Sequence, residues 1–172
     1  MNYFELFGLP AGLEIDLARL STSYHSLQQQ YHPDRFAAAP QSERLAAMQQ
    51  AAEINSGYQT LKDPLTRAEY LLYVLGMDIR GEQQTMQDLA FLTLQLEWRE
   101  ELESIRDAAD PEATIDAFSR KIRAQEQQLY AELDKAVASQ MLAEAAGLIR
   151  KLKFVRKLRD ELARLEDSLM DI

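Results

Sequence analysis

The chain has 172 residues, of which 47% are hydrophobic, so it can bury a core in one large or two small domains. It has no cysteine and only two histidines, which excludes disulfides, thiolate zinc sites, cysteine nucleophiles and an ordinary histidine metal site. Its net charge of −9 disfavours general nucleic-acid binding. No apolar run approaches the roughly 20 residues that span a bilayer, and the first residues lack the features of a signal peptide. We therefore expect a soluble cytoplasmic protein with neither nucleic-acid nor membrane partners.

Two amphipathic helices flank the tripeptide His32-Pro33-Asp34. Asp16 stands just before the first apolar stripe, where it suits an N-cap, and Pro33 cannot continue that helix. The tripeptide therefore presents an imidazole and a carboxylate at an exposed corner, which suits recognition better than a buried site. The stripes recur at three- and four-residue steps: Leu17, Leu20, Tyr24, Leu27 and Tyr31 before the corner, and Ala47, Ala51, Ile54, Tyr58 and Leu61 after it.

A short helix over residues 63–76 follows. Asp63 can cap it, Pro64 fits its first position, and Gly76 fits the position just past its end. The stretch from 76 to 84 is polar and contains a second glycine, which is typical of a linker. We therefore predict an N-terminal domain over residues 1–75, a linker over 76–84 and a C-terminal domain over 85–172.

Three long amphipathic helices make up the second half. Thr85 and Asp88 resemble a capping box, and the helix that they open should run to about Ala109, before Asp110-Pro111 starts the next. A third helix should begin near Gln140. Such short breaks favour an antiparallel three-helix bundle within a monomer, with a dimeric coiled coil as the alternative. The predicted fold class of the whole chain is all-α. The inward positions of the second and third helices are Ile115, Phe118, Ile122, Leu129, Leu133 and Val137, and Leu148, Leu152, Val155, Leu162, Leu165 and Leu169.

The first of these helices carries more apolar residues than a bundle requires. Its inward stripe is accompanied by a second one, rotated by roughly 130° at about 100° per residue. Phe154 is a further apolar residue outside the predicted core, because its neighbours Leu152 and Val155 should face the core. From spacing alone, a partner site and further packing are equally favoured. The inward stripe is Phe91, Leu94, Trp98, Leu102 and Ile105, and the second stripe is Leu89, Leu92 and Leu96.

A basic run on the last helix could suggest nucleic acid. Acidic residues on the first C-terminal helix offer a simpler explanation, namely pairing of charges across the bundle. The basic run is Arg150, Lys151, Lys153, Arg156, Lys157 and Arg159, and the acids are Glu97, Glu100, Glu101, Glu103 and Asp107.

The first 75 residues or so resemble the J-domain of DnaJ-type co-chaperones. The resemblance implies that His32-Pro33-Asp34 engages the ATPase of a DnaK-type chaperone and triggers hydrolysis, with Arg35 and Arg19 assisting and no bond chemistry in this chain. One departure is that the helix before the tripeptide has Arg19 as its only Lys or Arg, which implies weak electrostatic steering. The matching residues are Tyr3-Phe4-x-x-Phe7-Gly8-Leu9, Tyr31 and Phe36 around the tripeptide, and Ile54-Asn55-x-x-Tyr58-x-x-Leu61-x-Asp63-Pro64-x-x-Arg67-x-x-Tyr70.

The whole chain resembles the HscB family of co-chaperones for iron–sulfur cluster assembly, in which a three-helix domain follows the J-domain. This implies an HscA-type chaperone ATPase and an IscU-type scaffold protein as partners. Thr93 departs from the pattern, because a larger apolar residue, typically Met, is expected there. The matching segments are Phe91-Leu92, Leu96-Glu97-x-Arg99-Glu100-Glu101-Leu102 and Arg150-Lys151-Leu152-x-Phe154, and the implied scaffold-binding residues are Leu89, Leu92, Leu96, Glu97, Glu100 and Phe154.

Two other functions fit the sequence less well. A general J-domain co-chaperone for protein folding is disfavoured because the Gly/Phe-rich linker and cysteine-rich zinc region of full DnaJ are absent. An enzyme is disfavoured because no Ser/His/acid grouping, phosphate-binding glycine loop or metal-ligand set appears. We therefore predict no catalytic residue, metal or cofactor.

Overall fold

The computed structural model describes residues 1–81 and 88–170, and over these residues it contains α-helices and two 3-10 turns but no strand. The prediction of an all-α protein is confirmed. The chain divides into two compact units, Met1–Arg80 and Gly81–Ile172. The helices are α1 (Tyr3–Leu6), α2 (Leu17–Gln30), α3 (Gln41–Lys62), α4 (Pro64–Val74), α5 (Leu89–Ser104), α6 (Pro111–Ala138) and α7 (Leu142–Met170), and the 3-10 turns are Pro33–Phe36 and Ile105–Asp107.

The N-terminal unit is built on the hairpin of α2 and α3. Tyr24 on α2 stacks on Tyr58 of α3 with ring centroids 3.9 Å apart, and its hydroxyl donates to the Asn55 side chain at 2.8 Å. The short helix α1 packs on α3 at Gly57, where an added Cβ would lie only 2.9 Å from the Tyr3 ring. A glycine at this position therefore permits the close approach that buries the start of the chain.

Buried Arg67 and Tyr70 on α4 connect that helix to the rest of the unit. The Arg67 guanidinium donates to the carbonyls of Leu13 and Leu61 at 2.8 and 2.9 Å, so its charge is hydrogen-bonded although the residue is only 7% exposed. Tyr70 stacks on Tyr3, and its hydroxyl accepts from the Tyr3 backbone N–H at 2.9 Å. These two motif positions are therefore structural.

The N-terminal unit extends beyond the predicted end at residue 75. Ile79 is only 2% exposed, and the Arg80 guanidinium lies 3.7 Å from the centroid of the Tyr73 ring. Arg80 also donates two hydrogen bonds to the Asp78 carboxylate, at 2.9 and 3.1 Å, and these bonds lower the pKa of Asp78. The remainder of the predicted linker, residues 82–84, lies outside the described residues, as does the predicted capping residue Thr85.

The C-terminal unit is an antiparallel three-helix bundle, as predicted, with α6 and α7 forming its largest interface. The helix α5 begins at Leu89, where Asp88 caps it by accepting from the Phe91 N–H at 3.1 Å. It ends at Ser104 rather than near Ala109, because the chain tightens there into the 3-10 turn. Val137, Leu165 and Leu169 are half-buried instead of inward, as are Leu94 and Leu102. The fully buried large side chains of this unit include Ile105, Phe118, Ile122, Leu133, Ile149, Leu152 and Leu158.

Candidate functional site

The tripeptide His32-Pro33-Asp34 lies at an exposed corner of the α2–α3 hairpin. The helix α2 ends at Gln30, and Pro33 opens the 3-10 turn that follows. His32 Nδ1 accepts a hydrogen bond from the Asp34 backbone N–H at 3.2 Å and lies 3.7 Å from the Asp34 carboxylate. The side chains are 57% and 92% exposed respectively. Because Nδ1 is the acceptor, Nε2 carries the proton of a neutral imidazole, and both side chains are available to a partner.

Two aromatic rings support this corner. Tyr31 precedes the tripeptide and Phe36 ends the 3-10 turn, and their rings are nearly parallel, with an interplanar angle of 3° and centroids 6.5 Å apart. Both residues are half-buried, and the turn packs against α3. The corner is therefore held on packed aromatic side chains rather than on a free loop.

The two arginines predicted to assist the corner occupy different places. Arg35 lies within the 3-10 turn and is exposed beside the tripeptide. Arg19 is exposed in the first turn of α2, where its backbone N–H donates to the Asp16 cap at 3.0 Å. At 1.5 Å per residue, the helix places Arg19 roughly 18 Å from Tyr31. The structure thus brings Arg35, but not Arg19, to the corner.

The name leucine–phenylalanine patch is used here for Leu89, Leu92 and Leu96 of α5 together with Phe154 of α7, whose ring lies near Phe91 and Arg99 of α5. Leu89 and Leu96 are 78% and 67% exposed, whereas Leu92 and Phe154 are half-buried. Two of the three leucines of the second stripe of α5 are therefore outside the core. Phe154 is not fully turned away from the core either, because its ring meets the buried Phe91 ring edge-on, at 5.6 Å and 84°.

Two cations lie against this aromatic pair. The Arg99 guanidinium carbon is 5.9 Å from the centroid of the Phe154 ring, and Lys151 Nζ is 5.5 Å from that of Phe91. These distances fall within the roughly 6 Å range of cation–π contacts. Sequence patterns alone did not single out Arg99 for such a role, although it lies one turn beyond Leu96 on the helix.

The acidic residues Glu97 and Glu100 border the patch. Both are exposed, and within residues 1–81 and 88–170 neither forms an ion pair. Thr93 is also exposed, and its hydroxyl donates to the Leu89 carbonyl at 2.9 Å, so its polar group is partly satisfied by the helix itself. The patch therefore combines exposed leucines with two carboxylates that are available to a partner.

Charges pair across the bundle within the described residues, and Glu97 and Glu100 take no part in these pairs. Glu101 of α5 accepts from Lys121 of α6 at 3.0 Å, and Arg159 of α7 pairs with Glu126 of α6 at 3.0 Å. Arg99 of α5 pairs with Glu161 of α7. Cross-helix pairing thus includes a member of each run, Glu101 on α5 and Arg159 on α7, each with a partner on α6, whereas Glu97 and Glu100 are exposed.

Asp88 joins the start of α5 to α7. Its carboxylate lies 2.9 Å from Lys151 Nζ while it also caps the helix. The hydrogen bond from Lys151, followed by that from the Phe91 N–H, lowers the pKa of Asp88 below its ordinary value. A negative charge at a helix N-terminus is itself favourable, so one carboxylate stabilises both the helix end and its packing.

Membrane-spanning and metal-binding features are not found in the described parts of the chain. No described helix combines the length and the apolar character that crossing a bilayer requires. Among the same residues, no group of three or more His, Cys, Asp or Glu side chains could hold a metal ion.

Comparison with known families matches the two units separately. Residues 2–70 match the family model described as the DnaJ domain, and residues 87–163 match the one described as the HSCB C-terminal oligomerisation domain. A curated relative from Aeromonas hydrophila, named co-chaperone protein HscB homolog, is 54% identical over 99% of both chains. A relative of the same name from Vibrio cholerae is 52% identical over 99% of both chains.

Solved structures agree with these sequence matches. The chaperone HscB from Vibrio cholerae superimposes with a TM-score of 0.89 at 50% identity, covering 98% of this chain and 99% of that one. The human co-chaperone protein HscB gives a TM-score of 0.87 at 25% identity, covering 96% of this chain and 82% of that one.

Proposed function

This chain belongs to the HscB family of J-domain co-chaperones, and we propose that it delivers an IscU-like iron–sulfur scaffold protein to an HscA-like chaperone and stimulates that chaperone's ATPase. In this proposal the N-terminal unit binds the chaperone and the C-terminal unit binds the scaffold. The co-chaperone changes the rate of ATP hydrolysis without providing a reacting group.

The geometry of the exposed corner supports the proposed contact with the chaperone. Asp34 offers an almost fully exposed carboxylate, which suits a charge-assisted pair with an arginine of the chaperone. Arg35 adds a cation beside it, whereas Arg19 is too distant to contact the same point on the partner. Because His32 caps the turn that presents Asp34, the tripeptide acts as one recognition element.

The main support for the contact between the C-terminal unit and the scaffold is the exposure of Leu89 and Leu96. Two leucines exposed on one helix face, beside half-buried Leu92 and Phe154, form an apolar surface of the kind that binds partners. Glu97 and Glu100 at its border favour a scaffold segment that carries basic residues around an apolar centre.

We further propose that the protein acts as a monomer in the cytoplasm. The leucine–phenylalanine patch is small and bordered by two like charges, which disfavours pairing of two copies through this surface. The partner chaperone consumes ATP, which is a cytoplasmic resource.

A single-turnover ATPase assay tests the proposal. Hydrolysis by an HscA-like chaperone is measured alone, with this protein, and with this protein plus an IscU-like scaffold. We expect stimulation by the co-chaperone and a further, saturable increase when the scaffold is added. A general folding co-chaperone would instead show the increase with an unfolded client such as denatured luciferase, and that result would contradict the proposal.

A further inference from the structure

Phe154 has two neighbours on α5. The Phe91 ring is nearly perpendicular to that of Phe154, with centroids 5.6 Å apart, and the Arg99 guanidinium carbon lies 5.9 Å from the Phe154 centroid. A half-buried phenylalanine with one such neighbour could still change rotamer. Two such neighbours reduce its rotamer freedom at the rim of the patch.

Arg99 is itself fixed by an ion pair with Glu161. The two side chains are 35% and 23% exposed, so their attraction is screened less than that of a fully exposed pair. Glu161 lies seven residues after Phe154 on α7, two helical turns along the same side. One helix thus carries both the ring and the counterion, and Arg99 reaches both from α5. A guanidinium can do this because its planar group accepts a ring contact while its N–H groups bond a carboxylate.

We propose that Arg99 is a positioning residue for the scaffold contact. Held by Glu161, it keeps the Phe154 ring in the orientation in which an apolar scaffold segment meets it beside Leu92. Ordering a side chain before binding lowers the entropy lost in the complex, so Arg99 contributes to affinity without touching the scaffold. This inference rests on the proposed scaffold-binding function.

A double-mutant cycle of Arg99 and Phe154 tests the positioning role of Arg99. Affinity for a purified IscU-like scaffold is measured by calorimetry. We expect Arg99→Met to raise Kd by about 3- to 10-fold, the scale of a partly desolvated cation–π contact. Phe154→Ala should raise Kd by about 10-fold or more, as loss of an anchor does. The double variant should bind no more weakly than Phe154→Ala alone, because the only route by which Arg99 acts has been removed.

Two further variants test whether the effect of Arg99 depends on its ion pair with Glu161. Glu161→Gln should weaken binding in the same direction as Arg99→Met and add nothing when the two are combined. Arg159→Met is the matched control, because it removes the Arg159–Glu126 ion pair between α6 and α7 and should leave Kd unchanged. Urea unfolding of each variant verifies the fold, and if Arg99→Met proves unfolded, Glu161→Gln with and without Phe154→Ala carries the same test.

The outcomes separate this inference from the function on which it rests. If Phe154→Ala weakens binding and Arg99→Met does not, the positioning role is wrong and the scaffold site stands. If the loss caused by Arg99→Met persists in the Phe154→Ala background, Arg99 acts by another route and the inference is overturned. Undiminished binding by Phe154→Ala would overturn the scaffold site itself.

Discussion

The imidazole of His32 accepts the backbone N–H of Asp34 at 3.2 Å, so the histidine caps the turn that displays the carboxylate. The two side chains that we propose engage the chaperone are therefore coupled locally. Their substitution should disturb the turn and the partner contact while sparing the packed hairpin beneath, whose aromatic pairs lie on other residues.

We expect Asp34→Asn and His32→Gln each to abolish stimulation of the chaperone ATPase. Asp34→Asn removes the charge but keeps the shape, and His32→Gln removes the imidazole that caps the turn. Single-turnover hydrolysis measures the effect, and circular dichroism should show unchanged helicity. A variant that stimulates as well as the parent protein would contradict the role of the corner.

Truncation of the leucine–phenylalanine patch should weaken scaffold binding without unfolding the bundle. Leu96→Ala should cost about 1–3 kcal/mol of binding free energy, the range of an interface anchor. Its free energy of unfolding should change by well under the roughly 2–5 kcal/mol expected of a buried Leu→Ala change. Calorimetry and urea unfolding measure the two quantities.

Leu152→Ala is the matched control for that experiment. Leu152 is 1% exposed on α7, whereas Leu102, an inward position by spacing, is only half-buried and is a poorer reference. Leu152→Ala should lower the free energy of unfolding by the roughly 2–5 kcal/mol expected of a buried Leu→Ala change. If Leu96→Ala destabilises the bundle as much as Leu152→Ala does, the exposed stripe contributes to the core and the proposed surface is wrong.

A fragment that ends at Gly76 should be markedly less stable than one that ends at Gly81. The longer fragment retains Ile79, which is 2% exposed, and the contact of Arg80 with Tyr73. The substitution Ile79→Ala in the longer fragment should cost about 2–5 kcal/mol, as for other buried aliphatic side chains. Urea unfolding compares the stability of the two fragments. Equal unfolding midpoints would show that residues 77–81 contribute nothing to the stability of the N-terminal unit.

The contribution of Asp88 to stability should depend on pH. The lowered pKa means that the folded state favours the carboxylate, so this stabilisation is complete above the unfolded value of about 3.9. It is lost as the pH falls through the folded pKa. The stability difference between the parent protein and Asp88→Asn should therefore be constant from pH 5 to 7 and shrink below about pH 4.

Lys151→Met tests the cause of that dependence. It removes the ion-pair partner of Asp88 and should reproduce most of the loss at neutral pH, with little added by Asp88→Asn in combination. Urea unfolding across the pH series provides the measurement. A difference that persists undiminished at low pH would show that capping of α5, rather than the charge, accounts for the effect.

Local patterns in the sequence determined most of the architecture. The spacing of Leu20, Ile54 and Leu61 predicted helices whose buried sides the structure reproduces, because helical periodicity depends only on neighbouring residues. Pro33 determined the corner for the same reason, since its ring prevents the first helix from continuing. The family motifs then allowed the two units and their partners to be predicted.

Tertiary structure decided the features that depend on residues far apart in sequence. It turned Arg67 inward to the Leu13 and Leu61 carbonyls, and it joined Arg99 to Glu161, whereas Glu97 forms no ion pair within the described residues. Long charged side chains can reach several partners, and the choice depends on the rotation of one helix against another. Spacing along a single helix carries no information about that rotation. For this reason the sequence could identify a second apolar stripe on α5, and only the folded bundle could show which of its leucines are exposed.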